Sequence, residues 1–155
     1  MSLEPSAEAM TEEHLARVHE IETCCFSDPW PLVAFRREVA GKAGGGYPRV
    51  LVDEAEIRAF AISWFAADEA NLGNLAVDPR YRRRGYGRLL LEDLLEESRR
   101  RAVVSIWLEV RAGNAEAQRL YHRHGFRVVG VRKGYYRKER EDALVMGLSL
   151  ADGRG

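Results

Sequence analysis

The chain has 155 residues, 46% hydrophobic and 31% charged, and its 24 basic side chains cancel its 24 acidic ones. That size allows one domain, residues 1–155, burying about two-thirds of the surface its unfolded chain exposes. Charge balance argues against a broad nucleic-acid or membrane surface, and no apolar run reaches the roughly 18 residues of a membrane span. Met1-Ser2-Leu3-Glu4-Pro5 lacks the basic-then-apolar order of a signal peptide. Cys24 and Cys25 are adjacent, so they neither staple distant segments nor show metal-ligand spacing. Two reduced thiols at a helix end, in a cytoplasmic protein, are the expectation.

In chain order, Thr11 suits an N-cap, with Glu12 and Glu13 facing the helix dipole favourably in a helix that runs to Cys24. Phe26-Ser27-Asp28-Pro29-Trp30-Pro31 breaks that helix, and Pro31 suits the first position of a second one ending near Ala40. Gly41–Gly46 is a glycine-rich loop. Arg49–Asp53 and Ile57–Phe65 read as an antiparallel hairpin, and Glu69–Val77 as a third strand. A long helix from Gly85 to about Ala102 follows, with Leu89, Leu90, Leu91, Leu94 and Leu95 at helical spacing. Its Arg99-Arg100-Arg101 run complements the C-terminal dipole. Val103–Val110 is a strand that places Ser105, Trp107 and Glu109 on one face. Asn114 caps a helix to His124, and Gly125 fits the left-handed position after it. Phe126–Val131 and Ala143–Leu150 close the chain as strands around a charged turn. The pattern predicts a mixed α/β fold with helices on both faces of one sheet.

Arg82-Arg83-Arg84-Gly85-Tyr86-Gly87-Arg88 stands between an apolar strand and that long helix. A glycine turn opening a helix presents unpaired N–H groups and the positive end of the dipole, which together make an anion site for phosphate. Beyond it stand Glu109 at a strand end, Asn114 at a helix start and Tyr121 two turns on. Bulky Trp107 and Leu108 beside Glu109 make an idle charge there unexpected. Asn114 is sufficiently explained as a cap, and Tyr121 also reads as a core aromatic. His122 and His124, two apart on a helix, face different directions, so no metal site is expected, and His14 and His19 add none.

Asn74-Leu75-Ala76-Val77-Asp78-Pro79 followed by Arg82-x-x-Gly85-x-Gly87 resembles the acetyl-coenzyme A signature of the GNAT N-acetyltransferases. Trp107-Leu108-Glu109-Val110-Arg111-Ala112-x-Asn114, with Leu120-Tyr121-x-x-x-Gly125-Phe126, is similar more narrowly to the ribosomal-protein-alanine N-acetyltransferases. Tyr135-Tyr136, the stretch Glu141-Asp142-Ala143-Leu144-Val145-Met146 and Phe26…Pro29-Trp30 extend the likeness over nearly the whole chain. The resemblance implies a mostly antiparallel central sheet and acetyl-coenzyme A as co-substrate. The backbone of Leu75, Ala76 and Val77 would hold its acetyl and pantetheine part. The amides of Arg82, Arg83, Arg84, Gly85, Tyr86, Gly87 and Arg88 would cradle its pyrophosphate, and Asn114 would contact it. Glu109 becomes the general base and Tyr121 the acid that protonates the thiolate. Trp30, Tyr135 and Tyr136 would border the acceptor groove. The implied acceptor is a protein N-terminus, such as that of a ribosomal protein. A monomer or weak dimer without nucleic-acid, membrane or metal partners is the expectation.

The acceptor chemistry is constrained by proton affinity. An ordinary carboxylate taking a proton from an α-ammonium works uphill by about 3.5 pH units, roughly 5 kcal/mol; from a lysine the gap is about 6 units. A phenol donating to a coenzyme thiolate faces only about 1.5 units. The oxyanion needs a donor, for which a backbone N–H near Val77 is the candidate. A protein N-terminus is therefore preferred over a lysine side chain, and the resemblance implies one that opens with alanine or serine. Acetylation of a lysine or small amine, or coenzyme binding without turnover, are the alternatives. The turn Arg137-Lys138-Glu139-Arg140 lacks the proline or glycine common there in the family. Its cations disfavour a strongly basic acceptor unless Glu139 and Glu141 offset them.

Overall fold

The computed structural model describes residues 4–41, 44–136 and 140–150. Parts of the glycine loop at 41–46 and of the turn at 137–140 lie outside the described residues. In chain order the elements are β1 (Ser6–Ala9), α1 (Leu15–Cys25), α2 (Leu32–Ala40), β2 (Gly46–Asp53), β3 (Glu56–Ala66) and β4 (Glu69–Val77). Then follow α3 (Tyr86–Arg100), β5 (Ser105–Arg111), α4 (Ala115–Arg123), β6 (Arg127–Tyr136) and β7 (Glu141–Ser149). Short 3₁₀ turns at Glu12–His14 and Pro79–Tyr81 precede α1 and α3.

All seven strands form one sheet in the order β1-β2-β3-β4-β5-β7-β6. Every pairing is antiparallel except β4 with β5. The leucine stripe of α3 buries Leu90, Leu91, Leu94 and Leu95 on one face, together with Tyr121 of α4. Each such fully buried side chain contributes about 1.5–3 kcal/mol. On the opposite face Val18 and Ile21 of α1 and Phe35 of α2 pack on Phe60 and Ile62 of β3. Central β3 sends Ala59 and Ala61 to the first core, and Phe60 and Ile62 to the second. Burial on both faces explains its nearly continuous apolar run.

Several boundaries differ from the sequence reading: β6 runs to Tyr136 rather than Val131, and β2 begins at Gly46 rather than Arg49. Pro31 is the N-cap of α2 rather than its first helical residue. Thr11 opens a 3₁₀ turn before α1, with its N–H donating to His14 Nδ1 at 2.9 Å. Ser6–Ala9 forms an edge strand on β2, although Ser-Ala-Glu-Ala carries almost no intrinsic strand preference; pairing with the distant residues Arg49 to Val52 decides it. No helix among the described residues is long and apolar enough to cross a membrane.

Candidate active site

The site begins where two neighbouring strands part. β4 and β5 pair only from Glu69↔Ser105 to Leu72↔Leu108. Beyond that point β4 pairs with β3 alone, through Ile62↔Asn74 to Ala59↔Val77. β5 meanwhile pairs with β7 alone, through Glu109↔Val145 to Arg111↔Ala143. A bulge between Ile62 and Ser63 in the β3–β4 ladder leaves Gly73 as the extra residue of β4 and redirects the strand. Only glycine fits there: a Cβ would stand 2.1 Å from the Trp64 ring lying over it. The two strands therefore bound a wedge, with the open backbone edge of Leu75, Ala76 and Val77 on one side and Glu109 on the other.

The α3 N-terminus closes the adjoining end. Gly87 lies against Leu75, Val77 and Leu120, where a Cβ would meet them at 3.5–3.8 Å. Gly85 is the N-cap, at φ 84°, and offers no side chain to the helix amides. Arg83 also holds a left-handed backbone at φ 66°, unusual for a side chain bearing a Cβ. Left-handed residues in such a turn point successive amides inward as an anion nest. Among the described residues, none of the amides from Arg82 through Arg88 has a protein acceptor. Such a row fits a diphosphate. The Tyr86 side chain serves the fold instead: it is buried and donates its hydroxyl to Asp53, so only its amide can face a ligand.

Asn114 caps α4, its Oδ1 accepting from Ala117 N at 3.1 Å. Gln118 steadies the approach to α4 by donating Nε2 to Arg111 O at 3.0 Å and Ala112 O at 2.9 Å. Tyr121 is buried against Phe126, ring centroids 5.8 Å apart, and burial, reinforced by nearby Tyr136, pushes its hydroxyl up. Burial likewise raises Tyr136, with Arg111 opposing and Tyr135, Glu109 and Glu141 adding. Tyr136 thus stands within electrostatic reach of Glu109, and Tyr121 within reach of Tyr136. Tyr135 meets Tyr136 edge-on at 5.1 Å. Trp30 stands elsewhere: it packs on Phe35 at 5.4 Å and Trp64 at 6.2 Å, beside an open groove of about 380 Å³ that shares no lining residue with the wedge.

Three supporting residues escaped the sequence reading. Glu22 of α1 is buried, accepting from Trp30 N at 2.9 Å and Asn74 Nδ2 at 2.7 Å, and burial pushes its carboxyl up against those two donors. It ties the α1–α2 connection to β4. A lone glutamate on an amphipathic helix gives no sequence signal of this. Glu141 accepts from Gly113 N at 2.6 Å and lies 3.5 Å from Arg111, fixing the loop before α4. Arg132 of β6 stands 2.7 Å from Glu109.

Residues 15–126 match the family described as Acetyltransferase (GNAT) family. The chain is 41% identical over 140 residues to the [ribosomal protein bS18]-alanine N-acetyltransferase of Escherichia coli, covering 88% of this chain and 92% of that one. The enzyme of the same description from Haemophilus ducreyi is 37% identical over 147 residues, 92% and 99% of the two chains. The crystal structure of the ribosomal-protein-S18-alanine N-acetyltransferase from Escherichia coli superposes with a TM-score of 0.87 at 36% identity, covering 96% of this chain and 95% of that one. Ard1 from Thermoplasma volcanium shares the fold, with a TM-score of 0.85 at 22% identity over 95% and 98% of the chains. The chain belongs to the GNAT family of acetyltransferases.

Proposed function

We propose that the chain moves the acetyl group of acetyl-coenzyme A onto the α-amine of a protein N-terminus beginning with alanine, in the manner named for its ribosomal-protein relatives. The observation that carries this is the position of Glu109, one residue past the last β4–β5 pair, where β5 has parted from β4. The amides from Arg82 to Arg88 take the diphosphate, and the edge of Leu75–Val77 takes the pantetheine arm. The amine nitrogen attacks the thioester carbon, with the oxyanion received by a wedge N–H near Val77. The ammonium gives one proton to Glu109, the C–N bond forms and the C–S bond breaks; the thiolate takes a proton from Tyr121, and the second proton lost by the nitrogen restores the phenol. Burial keeps Tyr121 protonated at neutral pH, so the donor is always loaded, although a weaker acid than a free phenol.

Attack is direct. Cys25 donates Sγ to Val77 O at 3.3 Å, and burial pushes the thiol up, which withholds the thiolate an acyl-enzyme would need. The test compares peptides that begin with free alanine against the same peptides with blocked N-termini and internal lysines, read by mass spectrometry. Acetylation confined to free N-termini is expected. Equal modification of the blocked, lysine-bearing peptides would overturn the acceptor assignment.

A further inference from the structure

Glu109 is not idle in the structure: it is paired with Arg132. Its Oε2 is buried and has no hydrogen-bond donor among the described residues, while Arg132 Nε approaches to 2.7 Å out of hydrogen-bond alignment. The two side chains come from strands flanking β7, where Glu109 stands opposite Val145 and Arg132 opposite Ala143. They reach each other over the same sheet face. The partners differ in freedom: the Arg132 side chain is 59% exposed and that of Glu109 29%. Beyond the carboxylate, the Arg132 guanidinium rests 5.2 Å from the Tyr135 ring centroid.

We infer that Arg132 is a gate on the acceptor seat, a specificity-determining residue that holds Glu109 paired until a cationic amine displaces it. The inference rests on Glu109 being the base that receives the acceptor's proton. An arriving α-ammonium exchanges one cation for another, so the carboxylate is never left bare. It also supplies Oε2 with the aligned N–H donor that Arg132 fails to give. Pairs with so exposed a partner are weak, which lets the guanidinium leave at small cost. Tyr135, already beside the guanidinium, still offers it a face when it leaves the carboxylate. The seat is thereby reserved for cations; a neutral hydroxyl acceptor cannot compete for it. Binding is weakened by the fraction of molecules in which the seat is already taken.

The test uses the full chain, acetyl-coenzyme A and a synthetic peptide with a free N-terminal alanine. Arg132→Gln empties the seat and is expected to lower the acceptor KM about two- to fivefold, with the KM for acetyl-coenzyme A unchanged. Arg132→Lys restores a cation and is expected to return the acceptor KM toward wild type, which a merely structural role would not do. An acceptor KM that stays the same or rises in Arg132→Gln overturns the gate. Glu109→Gln keeps the two failures apart. If that variant loses turnover while Arg132→Gln leaves the acceptor KM unmoved, the gate alone is wrong. If Glu109→Gln turns over normally, the base goes and the gate goes with it.

Discussion

A carboxylate at position 109 has room to act because β5 loses its β4 partner one residue earlier. Tyr121 is placed differently, by burial on α4 rather than by a strand edge. Its hydroxyl has no hydrogen-bond partner among the described residues, so the fold makes little use of it. Tyr121→Phe is therefore expected to keep the wild-type melting temperature while lowering kcat about ten- to a hundredfold, read as thiol release at saturating peptide. Unchanged kcat would remove Tyr121 from the chemistry. At this scale the sequence was partly readable. Glu109 stood out as a charge among bulky neighbours, and Asn114 as a cap. Arg132 did not, because the sequence pattern ends that strand at Val131 and leaves this arginine in a charged turn. Its meeting with Glu109 depends on a register set by β7.

Among the elements, the start of α3 is the most legible, because glycine placement and leucine spacing are local signals. The left-handed Arg83 is not, since arginine marks no turn type. Asp78 anchors this segment. It caps the Pro79–Tyr81 turn by accepting from Arg80 N at 2.9 Å, and pairs with Arg80 at 2.9 Å and Arg17 at 2.6 Å. Hydrogen bonds from Arg80 and then Arg17 hold its carboxyl well below the usual carboxylate range. A carboxyl lowered by folding stabilises the native state above the unfolded value near pH 4 and loses that contribution as the pH falls. Asp78→Asn is expected to lower the unfolding free energy by about 1–3 kcal/mol at pH 7. The gap to wild type should shrink as urea melts are repeated below about pH 4. A gap that does not change with pH would contradict the ionic role.

Over the whole molecule, both the wedge and the strand order are products of long-range pairing. β4 and β5 are joined through α3, and a parallel neighbour across such a crossover leaves no mark in either strand's own sequence. Gly73 hints at a bulge, yet its meaning emerges only with Trp64 lying over it. The number and kind of helices were readable from periodicity. The edge strand β1 and the full length of β6 were not, because neighbours rather than propensity impose them. What the assembled fold proposes is a single line of ligand from the α3 amides to Glu109. A crystal structure of the chain with coenzyme A tests that most directly. The result expected is diphosphate oxygens about 3 Å from amides between Arg82 and Arg88, with the sulfur inside the wedge beside Glu109. A diphosphate bound anywhere else, or a sulfur outside the wedge, would contradict it.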